Sequence, residues 1–376
     1  MAEKILVLGG YGNFGKLICD VLARRGDAEL IVAGRSRDRA EKYCSELTAN
    51  NPKCRLSALA LDVQSDAFPK ILKTIQPDIV IHTCGPFQGQ DYRVPRACIA
   101  AGCHYIDLAD DRHFVCGFAL LNDKAKQHNV IAVSGASSVP GLSSVVVDHY
   151  ASEFSQLEEI DYTIVPGGNV DIGEATLKGI LSYAGEPFPG WENKMWIDRY
   201  GWMDSRRVDS GETLGLRWTA NVNIPDLELF PSRYPGVKTV RFQAGHEIGL
   251  VHLAMNGMAY LAKRGWVKHW DRYSRILFRM GQGIKKLGTD CGGMVICLAG
   301  LDQEGRRRKI IWRLIAKGGA GPRVPTISAI ILANRILDGD LAKPGARPCL
   351  GMYSLEEFFN VAATWGIYQE EERESG

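Results

Sequence analysis

The chain has 376 residues, 45% hydrophobic and 23% charged, which excludes a disordered or fibrous protein and leaves room for two domains with real cores. Its 45 Lys and Arg against 43 Asp and Glu leave a formal charge of +2, so the overall balance gives no reason to expect a nucleic-acid or membrane partner. The 41 glycines follow no collagen-like period and point to tight turns or close ligand approach.

Strand-like residues begin at Lys4, which leaves no room for a signal peptide. Short apolar runs at 4–9, 29–34, 55–63, 78–84, 104–108 and 130–134 read as strands, and the stretches near 14–25, 37–49, 66–75, 92–101 and 113–128 as the helices between them. One helix between each pair of strands requires parallel pairing through right-handed crossovers, hence a doubly wound Rossmann α/β domain over residues 1–140. After Pro140-Gly141 a helix runs to about Phe154. Strands are then expected at 160–165, 216–222, 239–244, 294–301 and 309–317, and helices near 173–184 and 248–263. The turn Asp302-Gln303-Glu304-Gly305 makes the last two strands an antiparallel hairpin, followed by the basic run 306–309, read as a solvated tip.

The second domain, over 141–322, is thus α+β with a mixed or antiparallel sheet, and 323–376 is expected to be a helical segment packing back on the domain interface. The acidic tail 370–374 reads as solvated chain. Ten scattered cysteines without a CxxC pair suit reduced thiols in a cytoplasmic protein. No apolar run approaches the roughly 18 residues of a membrane span.

The first strand runs into Gly9-Gly10-Tyr11-Gly12-Asn13-Phe14-Gly15 and then into a helix with the apolar stripe Phe14, Leu17, Ile18, Val21 and Leu22. In this GxGxxG loop Gly10 permits the tight turn, Gly12 lets backbone approach a pyrophosphate, and Gly15 allows close helix–strand packing. Tyr11, Asn13 and Phe14 complete the expected cofactor loop. An NAD site places a carboxylate at the end of the second strand; here the residues are Ala33-Gly34-Arg35-Ser36-Arg37. A guanidinium at Arg35 with Ser36 and Arg37 beside it suits a 2′-phosphate, so the expected cofactor is NADP. Asp62, after the third strand, reads equally as an adenine contact and as a loop acid.

These residues resemble the saccharopine dehydrogenase-like oxidoreductases. The resemblance rests on residues 5–15, on Ala33-Gly34-Arg35-Ser36, on Cys84-Gly85-Pro86-Phe87 and on residues 101–108, with Pro322, Pro325, Ala329 and 345–367 similar to the family's C-terminal end. It implies an NADP-binding domain, a substrate domain contributing to a homodimer, and an active site in the cleft between domains. Members with this pattern act on imines, amino acids and unsaturated compounds. The expected reaction is therefore hydride transfer to a C=N carbon, with an enoyl or carbonyl reductase, or a non-catalytic NADP-binding sensor, as alternatives. The short-chain dehydrogenase class is rejected: its Tyr-x-x-x-Lys pair occurs only as Tyr234…Lys238, where Pro235-Gly236 breaks the helix turn.

In an open α/β sheet the ligand lies beyond the carboxyl ends of the strands. Cys84, Gly85 and Pro86 are expected along the cofactor, Cys84 as a small buried thiol and not a nucleophile, with Phe87 toward the substrate. In Asp107-Leu108-Ala109-Asp110-Asp111-Arg112-His113, Asp107 is the expected acid/base residue and Asp110 a substrate contact, while one of Asp110 and Asp111 caps the next helix. The spacing of His104, Asp107 and His113 matches no metal site. In the second domain, Gly173 and Thr176 at a helix start, and Arg241, are further substrate-binding candidates. The aromatic stretch Trp191, Trp196, Tyr200 and Trp202 reads as lid, dimer interface or core.

Overall fold

The computed structural model describes residues 3–375 except 27, 51, 171, 172, 268 and 342. In chain order the first elements are β1 (Glu3–Leu8), α1 (Asn13–Leu22), β2 (Ala28–Gly34), α2 (Arg37–Thr48), β3 (Arg55–Ala60), α3 (Phe68–Ile75), β4 (Ile79–His82), α4 (Arg93–Ala100), β5 (His104–Asp107), α5 (Arg112–Cys116), α6 (Asn122–Gln127) and β6 (Ile131–Ser134). There follow α7 (Ser143–Ala151), β7 (Gln156–Val165), α8 (Glu174–Ser182), β8 (Pro187–Glu192), β9 (Met195–Tyr200), β10 (Arg206–Asp209), β11 (Leu216–Asn221), α9 (Asp226–Arg233), β12 (Thr239–His246), α10 (Gly249–Lys263) and α11 (Ser274–Ile284). The chain closes with β13 (Gly292–Leu301), β14 (Arg307–Ala316), α12 (Val324–Leu337), β15 (Gly345–Pro348), α13 (Leu355–Ala362) and β16 (Ile367–Ser375).

Two compact units result, one of residues 1–142 with 325–353 and one of 143–324 with 354–376. The division after 322 therefore differs from the expected single helical segment. Residues 325–353 supply α12 and β15 to the first unit, and 354–376 supply α13 and β16 to the second.

The first unit holds a seven-stranded parallel sheet in the order β15-β6-β5-β4-β1-β2-β3. The middles of its central strands are apolar because helices cover both faces; Ile5, Leu6, Val7, Ile79, Val80 and Ile81 are fully buried. Strand order reverses between β1 and β4, which opens a ligand crevice at their carboxyl ends. The second unit holds a nine-stranded mixed sheet with the path β10-β11-β12-β7-β13-β14-β16 and a β8–β9 hairpin attached through β12. Only β12 and β7 are parallel neighbours on that path; β13 and β14 form the expected antiparallel hairpin.

Two further elements depart from expectation. The acidic tail is β16, an ordered edge strand on β14, because basic residues of β14 neutralise it: Lys309 pairs with Glu374 at 3.0 Å and Arg313 with Glu372 at 2.8 Å. The aromatic stretch is the β8–β9 hairpin, in which Trp191 and Trp196 face each other in register with ring centroids 4.9 Å apart, while Trp202 is core. No disulfide links the ten cysteines, and no helix among the described residues is long and apolar enough to cross a membrane.

Candidate functional site

The glycine loop is held by its own backbone. Gly9 and Gly10 both donate to the Ala33 carbonyl, at 2.9 and 3.0 Å, which fastens the loop to the end of β2, and Gly12 donates to Gly9 at 2.7 Å. A Cβ at Gly15 would stand 2.1 Å from the Gly9 carbonyl oxygen, so only glycine lets α1 come this close to the turn. Gly12 caps α1 in extended conformation without a side-chain cap, Asn13 and Phe14 open the helix, and no acid lies in its first turn. The first-turn amides and the positive end of the helix dipole are therefore left to an external anion, which fits a pyrophosphate.

Tyr11 bridges this loop to the end of β2. Its hydroxyl accepts from the Ser36 amide at 2.8 Å, and its ring fills the place where a Cβ at Gly34 would come within 2.5 Å. The Arg39 guanidinium stands 4.7 Å over that ring. Ser36 caps α2, its hydroxyl accepting from the Arg39 amide at 3.3 Å. Arg37, expected beside the phosphate, is instead an exposed residue paired with Glu41 at 2.7 Å, one helical turn on. Arg35 is exposed and has no hydrogen-bond or ion-pair partner among the described residues. An unpaired guanidinium at the end of β2 is chemically suited to a 2′-phosphate. Arg39 escaped sequence reading because it lies on a helix, where a charge run reads as a solvated face.

Asp62 is exposed and accepts from the Gln64 amide at 3.0 Å, so it serves the turn after β3. Cys84 sits against the loop, its sulfur 3.2 Å from where a Gly9 Cβ would be, and burial pushes its thiol up to about 12. Gln90, not anticipated, donates to the carbonyls of Cys84 at 2.9 Å and Pro86 at 2.7 Å, and so shapes the segment through Gly85 and Pro86, whose peptide bond is cis. Phe87, expected at the substrate, is buried in an aromatic cluster with His82 at 5.1 Å and Phe114 at 5.4 Å, and so forms part of the wall.

The end of β5 separates three acids. Asp107, expected as the acid/base residue, is fully enclosed: its Oδ1 accepts from the Gly135 amide at 2.8 Å, the Ser134 hydroxyl at 2.9 Å and the Ala109 amide at 3.0 Å. It ties β5 to β6 and does not reach solvent. Burial pushes its carboxyl up to about 6 against those hydrogen bonds. Its neighbour in register, His82, is buried and shares a 2.9 Å hydrogen bond with Tyr105; burial holds the imidazole down to about 3. Asp111 caps α5, accepting from the Phe114 amide at 2.8 Å. Asp110 is the accessible one. Gln88 donates to it at 3.1 Å, and the surrounding protein strips its carboxyl of water enough to raise its pKa.

Residues 5–133 match the family model of the saccharopine dehydrogenase NADP binding domain. The matched stretch lies within the first unit. Two Mycobacterium tuberculosis proteins, from strains H37Rv and CDC 1551 and provisionally named trans-acting enoyl reductases, are each 29% identical to this chain over 154 residues. The matched stretch is 39% of this chain and 36% of each relative's length. The apo saccharopine dehydrogenase (L-Glu forming) of Saccharomyces cerevisiae shares the fold over 99% of this chain and 100% of its own, with a TM-score of 0.68 and 14% identity.

The remaining candidates lie outside the NADP-binding domain, in the second unit. Gly173 precedes α8 with a positive φ of 76°, and Thr176 lies in its first turn, but Glu174 occupies that turn too and opposes an anion there. Arg241 is tied to Asp161 at 3.3 Å and to Glu192 at 3.8 Å; with Arg206 on Asp161 and Arg199 on Glu192 and Asp204 it belongs to an ion-pair network of three guanidinium groups and three carboxylates. Neither feature offers an unpaired cation to a substrate carboxylate.

Proposed function

We propose that the protein is an NADP-dependent oxidoreductase acting on a small C=N substrate, an imine of an amino acid or its amine product. The observation that carries this reading is the accessible Asp110 at the carboxyl end of β5, on the crevice side of a sheet whose β1–α1 loop and Arg35 suit NADP. When bound, the cofactor supplies or accepts a hydride at its nicotinamide. The chain's own groups bind and orient: first-turn amides of α1 take the pyrophosphate, Arg35 and Arg39 the 2′-phosphate, and residues 84–86 border the nicotinamide side. Asp110 as carboxylate pairs with the positive charge of an iminium or ammonium nitrogen, and desolvation by the surrounding protein raises its pKa, which favours proton transfer to and from it. A cationic C=N substrate suits this acid better than a neutral one. An enoyl substrate is the second reading, favoured by the names of the mycobacterial relatives; there Asp110 would deliver the proton to carbon. A cytoplasmic homodimer remains part of the proposal.

Fluorescence titration with NADPH and NADH tests the cofactor half. NADPH should bind tighter, and Arg35→Ala should weaken it by about tenfold or more while leaving NADH unchanged, since a charge-assisted contact to phosphate is worth about 1.5–3 kcal/mol. NADPH oxidation in mixtures of amines and 2-oxo acids, against 2-enoyl thioesters, tests the substrate half. Turnover only with thioesters selects the second reading, and tight binding with neither turnover sinks the enzyme.

A further inference from the structure

Most of the large apolar side chains left exposed among the described residues fall in one stretch of the second unit, 250–287. On α10 the buried side, Met255 and Ala259, joins a core cluster with Leu181 and Trp202, against which Leu277 of α11 also packs. The other side of α10 presents Leu250, Leu253 and Tyr260; α11 presents Ile276 and Met280, one turn apart. Trp266 between them is 75% exposed and Leu287 beyond them 79%. A folded domain does not leave such side chains in water without a partner surface.

The charge of the same stretch says which surface. Residues 258–287 carry eight Lys and Arg and a single acid, Asp271, in a chain whose net charge is only +2, so the remainder of the chain is net acidic. Arg275 and Arg279 lie in the rows next to Ile276 and Met280 on α11. Apolar side chains flanked by cations on long stems, with a tryptophan among them, match the headgroup layer of an anionic bilayer, into which the apolar atoms sink while the cations stay among phosphates. A second copy of this face would bring cation against cation.

We infer that α10, α11 and Trp266 form a docking face for an anionic lipid surface, holding the protein on a membrane without spanning it. This stands independently of the cofactor and substrate reading.

Co-sedimentation of the full chain with vesicles of phosphatidylcholine, with and without phosphatidylserine, is the test. Partition should be at least about tenfold greater onto the anionic vesicles at low salt and should fall as salt is raised. Ile276→Asp with Met280→Asp should abolish it. Arg275→Gln with Arg279→Gln, which leaves the apolar side chains in place and sets no new charge beside Glu174, the partner of Arg275 at 3.8 Å, should cut it by about tenfold or more, with circular dichroism unchanged. No partition, or equal partition onto neutral vesicles, overturns the inference. So does a dimer that falls to monomer with Met280→Asp while no variant or wild-type chain binds vesicles, because the face would then belong to a second copy.

Discussion

Asp107 and Asp110 stand three residues apart at the end of the same strand and meet opposite fates. The chain turns after β5 so that Asp107 points into the sheet and accepts three hydrogen bonds, whereas Asp110 remains within reach of solvent. Asp110→Asn should lower kcat by about a hundredfold or more and leave NADPH affinity within about twofold, as expected for loss of a proton-handling group. Asp107→Asn should cost about 1–3 kcal/mol of stability through mismatched buried donors and move kcat far less. Kinetics and urea melts on the two variants separate these outcomes. A second buried acid, Asp226, accepts a short hydrogen bond from Ser143, and burial raises its pKa to about 7. Between about pH 4 and pH 7 the folded chain keeps this proton and the unfolded chain has lost it, so its contribution makes stability fall as pH rises, by up to about 1.4 kcal/mol per pH unit. Urea melts of wild type and Asp226→Asn across that range should diverge in this sense; parallel curves would remove the residue from the account.

At the scale of elements, legibility followed the environment of each strand. The six strands and the phosphate loop of the first unit could be read because both faces of that sheet are covered, so each strand is a short apolar run bounded by turn residues. Strand β16 could not, because Glu370, Glu372 and Glu374 look like solvated tail until β14 supplies Arg313 and Lys309 opposite them; the two charge runs, each bland alone, are complementary edges of one ladder. Trp312 donates to Gln369 at 2.7 Å in the same ladder, and Tyr150 to Glu371 at 2.7 Å. Removing residues 367–376 should lower the melting temperature by about 10 °C or leave the chain insoluble, since β14 then becomes an unpaired apolar edge. Differential scanning fluorimetry on the truncated chain checks this. The β8–β9 hairpin was hidden for another reason: its turn is Asn193-Lys194, both with positive φ, a pairing that lacks the usual glycine signal. The shape of the glycine loop was legible because backbone crowding dictates residue type there, as at Gly15, where a Cβ would collide with the Gly9 carbonyl. Rotamer and burial, which sequence does not display, set the surroundings of the rest: Arg37 pairs with Glu41, and Phe87 and Asp107 are buried.

For the whole molecule, averages conceal what segments do. A net charge of +2 is the sum of a basic stretch at 258–287 and a net acidic remainder, so it describes neither. The two units are likewise not two consecutive lengths of chain. The backbone leaves the first unit after Leu142, returns at Pro325 to lay β15 beside β6 in parallel register, and departs again after Tyr353. Ser328 on α12 donates to the Ser137 carbonyl at 3.0 Å and shares a hydrogen bond with Tyr353, which fastens the late segment onto the loop after β6. During synthesis, then, six strands of the cofactor sheet leave the ribosome long before the seventh, and the apolar edge Ile131–Ser134 must wait through the translation of some two hundred further residues before its partner exists. A nascent chain in that interval carries an open sheet edge that chaperones would have to shield.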